Sequence, residues 1–331
     1  MLDGGDANDG KGAMRAVVMD QLGGPEVLSV ADVASPVRVN AEFLVKVVAA
    51  GVNPIDAKTR AGRGVSAAID HFPAVLGNDF SGIVVEAPYE AHPYQPGTEV
   101  YGMTTVPRVG GTYAEYVAVS SLSLTRKPTT LSHVEAAAVP LAALTAWGMV
   151  VEVAKAHEGQ RMLIHAASGG VGHFAVQFAR YFGAHVIATG STAKVAWLRE
   201  LGANRTIDYT ATRFEDEVGD LDVVIDLVGN VHDETGRRSL RTLRPGGLIV
   251  NAPTGSWPGF ATEVAEAGLR GTTYKVAPDG ATLAVISRLL QSGDVRVYVD
   301  RVFDLADAAA AHTAIEQGHT RGKIVLKVSD G

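Results

Sequence analysis

The sequence predicts an α/β fold in two parts, a barrel-like β domain and a doubly wound parallel sheet. From Met14 to about Ser121, short β-rich runs are separated by Gly, Pro and Asp, a spacing typical of an antiparallel barrel. From about Glu135 to Pro278, strand patterns alternate with amphipathic helix patterns, which indicates parallel βαβ units. The 331 residues are about twice the usual length of one domain, which also favours two.

The strands of the first part are predicted from runs rich in β-branched and aromatic residues, namely MRAVVM, FLVKVVAAGV, GIVVEA, EVYGM and YAEYVAV. The longest apolar run, Ala136 to Val151, has 16 residues and contains Pro140 and Thr145. It is too short and too interrupted to span a membrane, so we expect a buried core helix there.

The middle segment predicts strands in RMLIHAA, HVIATG, RTIDY, LDVVIDLVG, GLIVNAP and TTYKVA, and helices in VGHFAVQFARYFG and AKVAWLRELG. The tail returns to mixed structure. It predicts helices in ATLAVISRLLQSG and ADAAAAHTAIEQG and strands in RVYVDRVF and KIVLKV.

Composition excludes several classes of protein. Lys and Arg number 29 against 36 Asp and Glu, and the resulting net charge of −7 argues against a nucleic-acid partner. There is no cysteine, which excludes disulfides, thiolate nucleophiles, iron–sulfur clusters and Cys-ligated zinc. The leader, residues 1–13, is acidic and Gly-rich and is not a secretory signal, so we expect it to be disordered and the protein to be cytoplasmic, with no membrane partner.

The most informative motif is the segment HAASGGVG, which runs from His165 to Gly172 between a strand pattern and a helix pattern. Gly169 would let the backbone approach a pyrophosphate, and Gly172 would let the helix pack closely on the sheet. The N–H groups at the start of the helix would bind the phosphates. The predicted cofactor contacts are Ser168, Gly169, Gly170, Val171 and Gly172, and a tight strand-to-helix turn is the alternative interpretation.

The end of the second strand indicates which dinucleotide binds. An NAD site usually has Asp or Glu there, but this strand ends in Gly190 and Ser191. Without that carboxylate a 2′-phosphate is not repelled, and Lys194 and the hydroxyl of Tyr209 are predicted to bind it. NADPH is therefore the predicted cofactor, although Lys194 can also be read as a solvated helix lysine.

From Met14 to Val328 the chain resembles the medium-chain dehydrogenase/reductase superfamily, in its zinc-free quinone oxidoreductase (zeta-crystallin-like) branch. The resemblance is carried by VNPID at 52–56, GNDFSG at 77–82, GGTYAEY at 110–116, PLAALTAW at 140–147, AASGGVG at 166–172, LGANRTIDY at 201–209 and GKIVL at 322–326. It implies a GroES-like catalytic domain, residues 14–134 and 279–331, interrupted by a Rossmann NADPH-binding domain, residues 135–278. It also implies a homodimer.

The resemblance implies that no metal is bound. Zinc-dependent relatives carry a GHE segment whose histidine is a ligand, and here the corresponding residues are Gly77, Asn78 and Asp79. Together with the lack of cysteine, this substitution predicts that both zinc sites of those relatives are missing.

The same resemblance places Asn53 and Asp56 near the nicotinamide, in the substrate cleft, and Thr145 at the nicotinamide end. Lys58 is a candidate donor to a developing oxyanion, and Tyr113 is a candidate proton donor. As alternatives, Asn53 and Asp56 can simply hold a turn around Pro54, and Lys58 can be a surface lysine. Residues expected after later strands are Asp226, Val228 and Gly229, near the adenosine ribose, and Asn251 and Val276, near the nicotinamide.

The sequence therefore predicts an NADPH-dependent, metal-free reductase whose partner is a small electrophilic carbonyl compound, a quinone or an α,β-unsaturated carbonyl. Two alternatives stay open. One is an enoyl-thioester reductase, which would share the fold and the cofactor. The other is an NADPH-binding protein with little turnover and a structural or sensing role.

Overall fold

The computed structural model of the chain describes residues 12–106 and 110–330. The predicted disordered leader, up to residue 11, lies outside these residues, and the first strand begins at Ala13. In the described part of the chain, no helix is both long enough and apolar enough to cross a membrane.

The first part of the chain forms antiparallel strands, as its short apolar runs predict. They are β1 (Ala13–Met19), β2 (Leu28–Ala34), β3 (Glu42–Val52), β4 (Ala74–Val75), β5 (Asp79–Glu86), β6 (Glu99–Met103), β7 (Tyr116–Ser120) and β8 (Leu124–Arg126). Helices α1 (Pro54–Arg60) and α2 (His133–Ala137) and two 3₁₀ turns, Pro25–Val27 and Ser66–Ala68, complete this part. Strands β2, β1 and β4 form a small sheet in that order, and the others belong to a larger sheet.

The middle of the chain forms a six-stranded parallel sheet with helices between its strands. Its elements are α3 (Pro140–Trp147), a π-helical segment (Gly148–Val153), β9 (Arg161–Ile164), α4 (Gly170–Tyr181), β10 (His185–Gly190), a 3₁₀ turn (Thr192–Lys194), α5 (Val195–Glu200), β11 (Arg205–Asp208), α6 (Phe214–Glu217), β12 (Leu221–Asp226), α7 (Thr235–Ser239), a 3₁₀ turn (Leu240–Thr242), β13 (Leu243–Asn251), α8 (Phe260–Glu266) and β14 (Arg270–Thr273). The spatial order is β11-β10-β9-β12-β13-β14. The chain reverses direction across the sheet between β9 and β12, and ligands bind beside the carboxyl ends of strands at such a point.

The tail contributes α9 (Gly280–Ser292), β15 (Val299–Asp304), a 3₁₀ turn (Leu305–Asp307), α10 (Ala308–Glu316) and β16 (Lys323–Lys327). Strand β16 pairs antiparallel with β3, with Ile324 opposite Val52. The larger sheet therefore has the order β15-β16-β3-β5-β6-β8, with β7 also paired to β3. The tail thus returns to the first part of the chain, as the predicted fold class requires.

Helix α9 packs differently from the rest of the tail. Its Leu283 and Ile286 are buried in the apolar core that surrounds α3, β9 and α4. The predicted division of the chain at residue 278 stays a prediction.

Two predicted elements are wrong in their extent. The apolar run from Ala136 to Val151 is not one helix, because α2 ends at Ala137 and α3 begins at Pro140. Proline has no backbone N–H to continue the earlier helix but is well placed in the first turn of a new one. The strand predicted in TTYKVA is the second such element, because β14 ends at Thr273 beside the last residue of β13 and the chain then leaves the sheet towards α9. Val276 therefore does not lie on a strand.

Candidate active site

The loop between β9 and α4 has the geometry that a pyrophosphate requires. Gly169 is the N-cap of α4, and no side chain of the described residues hydrogen-bonds there as a cap. The first N–H groups of a helix have no partner within the helix, and those of Gly170 and Val171 have no backbone partner among the described residues either. Ser168, Gly169, Gly170 and Val171 are all partly accessible. The residues present therefore fit the phosphates of a dinucleotide.

Gly169 and Gly172 differ in the space around them. A Cβ atom added at Gly172 would lie against the Ala166 carbonyl oxygen and 2.6 Å from Cα of Ala167, both atoms of the backbone. A Cβ atom added at Gly169 would have only the Ala166 carbonyl oxygen nearby, at 3.3 Å. Gly172 is thus required by the packing of α4 on the loop, whereas the space beside Gly169 is open for a ligand.

The residues expected at the 2′-phosphate come together at the carboxyl ends of β10 and β11. Gly190 ends β10, and its carbonyl oxygen accepts a hydrogen bond from the Tyr209 backbone N–H at 3.2 Å. Ser191 follows directly, and Lys194 ends the next 3₁₀ turn with its N–H bonded to the Ser191 carbonyl oxygen at 2.8 Å. The Tyr209 side chain is 56% exposed.

Asp208 is a neighbour of this group that the sequence analysis missed. It ends β11 opposite Gly190 and accepts hydrogen bonds from the hydroxyl groups of Thr192 and Thr210. Those hydrogen bonds lower the pKa of Asp208, since they favour its ionised form. In an NAD site the carboxylate ends the strand next to β9, which is β10 here. In this protein the carboxylate ends β11 instead, and it is already bonded to two hydroxyl groups.

Asp226 organises the carboxyl ends of β12 and β13. It is fully buried, and its Oδ1 accepts the N–H groups of Val228 and Gly229 at 2.9 and 2.8 Å. Its Oδ2 accepts the Asn251 side-chain amide at 2.8 Å. Four of the residues expected beside the adenosine ribose and the nicotinamide therefore form one connected group. Val276 lies beyond it, on the extended segment after β14.

Thr145 lies on α3 and is buried, with 7% of its surface exposed. Its hydroxyl donates to the Leu141 carbonyl oxygen at 2.6 Å, so only its oxygen lone pairs stay available to another group. The same helix begins next to the larger antiparallel sheet, because the Leu141 N–H donates to Oδ1 of Asp79, on β5, at 2.7 Å.

Three of the four candidate catalytic residues form a buried cluster. The carboxylate of Asp56 accepts the Asn53 backbone N–H at 2.8 Å, the Asn78 side-chain amide at 2.7 Å and the Tyr113 hydroxyl at 3.2 Å. Asn53, Asp56 and Tyr113 are each at most 2% exposed. Asn53 is also the N-cap of α1 and Pro54 its first residue, so the alternative role in holding a turn is present in the same geometry.

Lys58 stands apart from this cluster. It is half-buried on α1, and residues two apart on a helix do not share a face, so it points away from Asp56. Burial, and then the nearby Arg63, lower the pKa of the Lys58 ammonium group. No hydrogen bond within residues 12–106 and 110–330 contributes to this pKa.

A buried ion pair that the sequence analysis missed joins the cluster to the phosphate loop. Lys323 Nζ lies 3.5 Å from Asp79 Oδ2 and also donates to Asn53 Oδ1 and, at 3.0 Å, to the Val52 carbonyl oxygen. Asp79 and Lys323 are 0% and 3% exposed. The Gly322 N–H donates to the Ser168 carbonyl oxygen at 2.9 Å. The motif GKIVL carried the resemblance, but nothing in it signalled a buried ammonium group.

Burial raises the pKa of Asp56 from 3.8 to about 6, against the opposing effects of the Asn53 and Asn78 hydrogen bonds and of Lys323. Between these values the folded protein holds a proton that the unfolded chain has released. The free energy of unfolding contributed by Asp56 is therefore expected to fall as the pH rises from about 4 to about 6.

We expect this fall to be on the order of 1–3 kcal/mol. Urea unfolding of the wild type and of Asp56→Asn across this pH range measures it, because the asparagine does not titrate. A difference between the two proteins that stays constant from pH 4 to pH 7 would contradict the raised pKa.

Within the described residues, no group of three or more His, Asp or Glu side chains could hold a metal ion. The residues that correspond to the GHE segment of zinc-dependent relatives are used otherwise. Asn78 donates to Asp56, and Asp79 accepts from Asn53, from the first turn of α3 and from Lys323. A carboxylate bonded to an ammonium group and to two N–H groups does not fit a zinc ligand.

Known protein families match both parts of the chain. Residues 40–129 match the alcohol dehydrogenase GroES-like domain, and residues 201–326 match the zinc-binding dehydrogenase family. The solved structure of the quinone oxidoreductase from Coxiella burnetii is similar, with a TM-score of 0.91 and 36% identity over 96% of this chain and 100% of that one. The predicted fold class is confirmed.

Two curated relatives are similar along nearly the whole chain. The mitochondrial NAD(P)H oxidoreductase RTN4IP1 of Danio rerio is 33% identical over 96% of this chain and 92% of that protein. The chloroplastic NADPH-dependent alkenal/one oxidoreductase of Arabidopsis thaliana is 33% identical over 95% of this chain and 79% of that protein.

Proposed function

Because the chain belongs to the quinone oxidoreductase branch of the medium-chain dehydrogenase/reductase superfamily, we propose that it reduces quinones or α,β-unsaturated carbonyls without zinc. The chain is an NADPH-type oxidoreductase. What we propose beyond this is the class of acceptor, the independence from zinc and the residues that act.

The observation that carries the proposal is the donor set around Asn78 and Asp79. Both side chains are buried and bonded within the Asp56–Lys323 cluster, which supports a role in holding the cleft and not in binding a metal. Oxidation of an alcohol needs its hydroxyl deprotonated, which zinc achieves by coordination. A conjugated carbonyl needs no such activation, because the carbon that is attacked is already electrophilic.

The proposed cofactor contacts follow the carboxyl ends of the parallel strands. Gly169, Gly170 and Val171 at the start of α4 would bind the pyrophosphate, with Ser168 and Gly172 shaping the loop. Gly190, Ser191, Lys194 and Tyr209 would surround the 2′-phosphate. The side of the cofactor from the ribose to the nicotinamide would be lined by Val228, Asn251, Val276 and Thr145. NADPH, when bound, supplies the hydride.

The residues of the chain would then position the acceptor and stabilise its charge. As the acceptor takes up a hydride on carbon, the electron pair of its double bond moves towards the carbonyl oxygen, and a proton from water then completes the reduction. Lys58, whose ammonium group is free of hydrogen bonds to the described residues, is the proposed donor to that oxygen. Asn53, Asp56 and Tyr113 form the wall of the cleft in this proposal, and orientation of the reactants supplies much of the acceleration.

Lys194→Ala is expected to weaken NADPH binding by roughly 10- to 150-fold, because a charge-assisted hydrogen bond contributes about 1.5–3 kcal/mol. NADH binding should change little, since NADH has no 2′-phosphate. Fluorescence titration of both cofactors measures the effect. Lys155→Ala is the matched control, because Lys155 is an exposed lysine in the loop before β9, at the amino ends of the strands and so on the side opposite the proposed cofactor site. Equal losses for NADPH and NADH would show that Lys194 supports the fold and does not bind the phosphate.

The function is tested by NADPH oxidation with a panel of quinones, enals, enones, acyl-thioesters and primary alcohols, each with and without a chelator. We expect quinones or free conjugated carbonyls to be reduced fastest and the chelator to have no effect. Turnover of acyl-thioesters alone would identify an enoyl-thioester reductase. Tight NADPH binding without turnover would indicate a structural or sensing role. Loss of activity and of about one zinc per chain in chelator would refute zinc independence.

We also propose a homodimer and a cytoplasmic location, which rest on the resemblance and on the composition of the leader. Light scattering of the purified protein and fractionation of cells test them. Both relatives named above are organellar proteins, so a mitochondrial or chloroplast location is the main alternative outcome.

A further inference from the structure

Helices α1 and α10 pack against each other through two pairs of polar residues. Asp56 and Arg60 are four apart on α1, and His312 and Glu316 are four apart on α10, so each pair lies on one helix face. Asp56, Arg60 and His312 are at most 1% exposed. Buried polar side chains of this kind persist only when they are hydrogen-bonded.

These residues form a continuous line of hydrogen bonds with Tyr113. Its hydroxyl lies 3.2 Å from Asp56 Oδ2 and 3.2 Å from His312 Nε2. On the other side of the imidazole, Arg60 Nη1 lies 3.4 Å from His312 Nδ1. Arg60 also donates to Glu316 Oε1 at 2.7 Å and to the Gly23 carbonyl oxygen at 3.1 Å.

The chemistry of the groups fixes where each proton lies. The guanidinium group of Arg60 can only donate, so His312 Nδ1 must accept. Burial, and then the charge of Arg60, lower the pKa of His312 to about 3, so the ring is neutral and its one proton is on Nε2. That N–H donates to the Tyr113 oxygen, which leaves the Tyr113 hydroxyl proton to be donated to Asp56.

We propose that Arg60, His312 and Tyr113 are positioning residues. Arg60 and His312 direct the Tyr113 hydroxyl onto Asp56, and that hydrogen bond holds the Asp56 carboxylate where it orients Asn53 and Asn78 in the cleft. The cleft itself rests on the proposed function. The direction of the hydrogen bonds does not rest on the proposed function, since it follows from the distances and from the permanent charge of Arg60.

The position of Asp56 explains why such support is needed. Its carboxylate is buried, and both its oxygens are occupied by groups that define the cleft wall, the Asn53 backbone and the Asn78 amide. The titratable and charged groups around it come from five segments, namely Arg60 on its own helix, Asp79 on β5, Tyr113 before β7, His312 and Glu316 on α10, and Lys323 on β16, whereas Lys58 on its own helix points away from it. Of these, only Tyr113 donates a hydrogen bond directly to Asp56.

The proposal is tested by following the carboxyl carbon of Asp56 by NMR during a pH titration, with the signal assigned from Asp56→Asn. Tyr113→Phe removes a donor to the ionised form and is expected to raise the pKa of Asp56 by roughly half to one unit. His312→Leu should shift it in the same direction, and His312→Gln, which keeps an N–H donor towards Tyr113, should stay closer to the wild type.

Tyr101→Phe is the matched control. Tyr101 is equally buried, and its hydroxyl bonds to Ser287 on α9, at 2.7 Å, outside this network. We expect it to leave the pKa of Asp56 and the pH dependence of kcat unchanged, whereas Tyr113→Phe shifts both. An unchanged pKa of Asp56 in Tyr113→Phe, or an equal shift in Tyr101→Phe, would overturn the proposal.

The test does not depend on turnover. Tyr113→Phe is the most conservative of the variants, and it decides the question if His312→Leu does not fold. If the wild type oxidises no NADPH with any acceptor, the proposed function is refuted. The titration of Asp56 would still test the proposed role of Arg60, His312 and Tyr113.

Discussion

Lys323→Met is expected to lower the free energy of unfolding by about 3–5 kcal/mol, because it leaves the carboxylate of Asp79 buried without its ammonium partner. The two side chains are 3% and 0% exposed, so solvent cannot replace the lost charge. The variant also loses the donor to Asn53 Oδ1 and to the Val52 carbonyl oxygen. Urea unfolding without NADPH, followed by circular dichroism, measures the change.

Two further variants identify the cause. In Asp79→Asn/Lys323→Met neither buried charge remains, so at least part of the lost stability should return. Lys327→Met is the matched control, because Lys327 lies on the same strand, is 50% exposed and pairs with Asp330 on the surface. It should cost about 0–1 kcal/mol. A double variant no more stable than Lys323→Met would show that the hydrogen bonds of Lys323, and not its charge, are what the fold needs.

Gly172→Ala and Gly169→Ala are expected to affect different properties of the protein. The Cβ introduced by Gly172→Ala would meet backbone atoms of the loop, which cannot move aside as a side chain can, so we expect a loss of about 2–3 kcal/mol in stability. Gly169 has φ −82° and ψ −176°, which any residue adopts, and a Cβ there would meet only the Ala166 carbonyl oxygen, at 3.3 Å, which has to move by a few tenths of an ångström. Its replacement should change stability by less than about 1 kcal/mol.

NADPH binding separates the two variants further. The methyl group introduced by Gly169→Ala would occupy the space that we assign to the pyrophosphate, so this variant should bind NADPH at least roughly tenfold more weakly while folding normally. Urea unfolding without cofactor and a fluorescence titration with NADPH give the two quantities. Normal NADPH affinity in Gly169→Ala would show that the pyrophosphate does not approach this residue.

Local patterns account for what could be predicted from the sequence. The phosphate loop needs only a strand, a few glycines and a helix in succession, and all lie within residues 161–181. The 3.6-residue periodicity indicated α4, whose apolar face is buried in one core, and short continuous apolar runs indicated β6 and β16, which are buried on both faces. The break at Pro140 follows from the same kind of local rule, since proline rarely continues a helix, but the sequence analysis expected one helix there.

Contacts between distant residues account for what could not be predicted. Asp79 and Lys323 are 244 positions apart, and Arg60 and His312 are 252 apart. No periodicity or motif links such positions in a single sequence. Buried polar groups moreover read as surface residues in a pattern of apolar and polar letters, which is why Lys323 was seen only as part of GKIVL. Asn53, Asp56 and Tyr113 were found through the resemblance alone, and only the structure shows that they share hydrogen bonds.

The pairing of β16 with β3 affects the order in which parts of the chain can fold during translation. Val52 and Ile324 are partners, with about 270 residues made between them, so this edge of the larger sheet stays open until β16 has been synthesised. At about 5–20 residues per second that delay is roughly 15–50 s, during which the six-stranded parallel sheet can form first. The segment of β3 that pairs with β16, from Ala49 to Val52, is meanwhile an exposed edge that can join a neighbouring chain. Stalled or prematurely terminated translation products, which lack β16, would therefore be the copies most prone to aggregate.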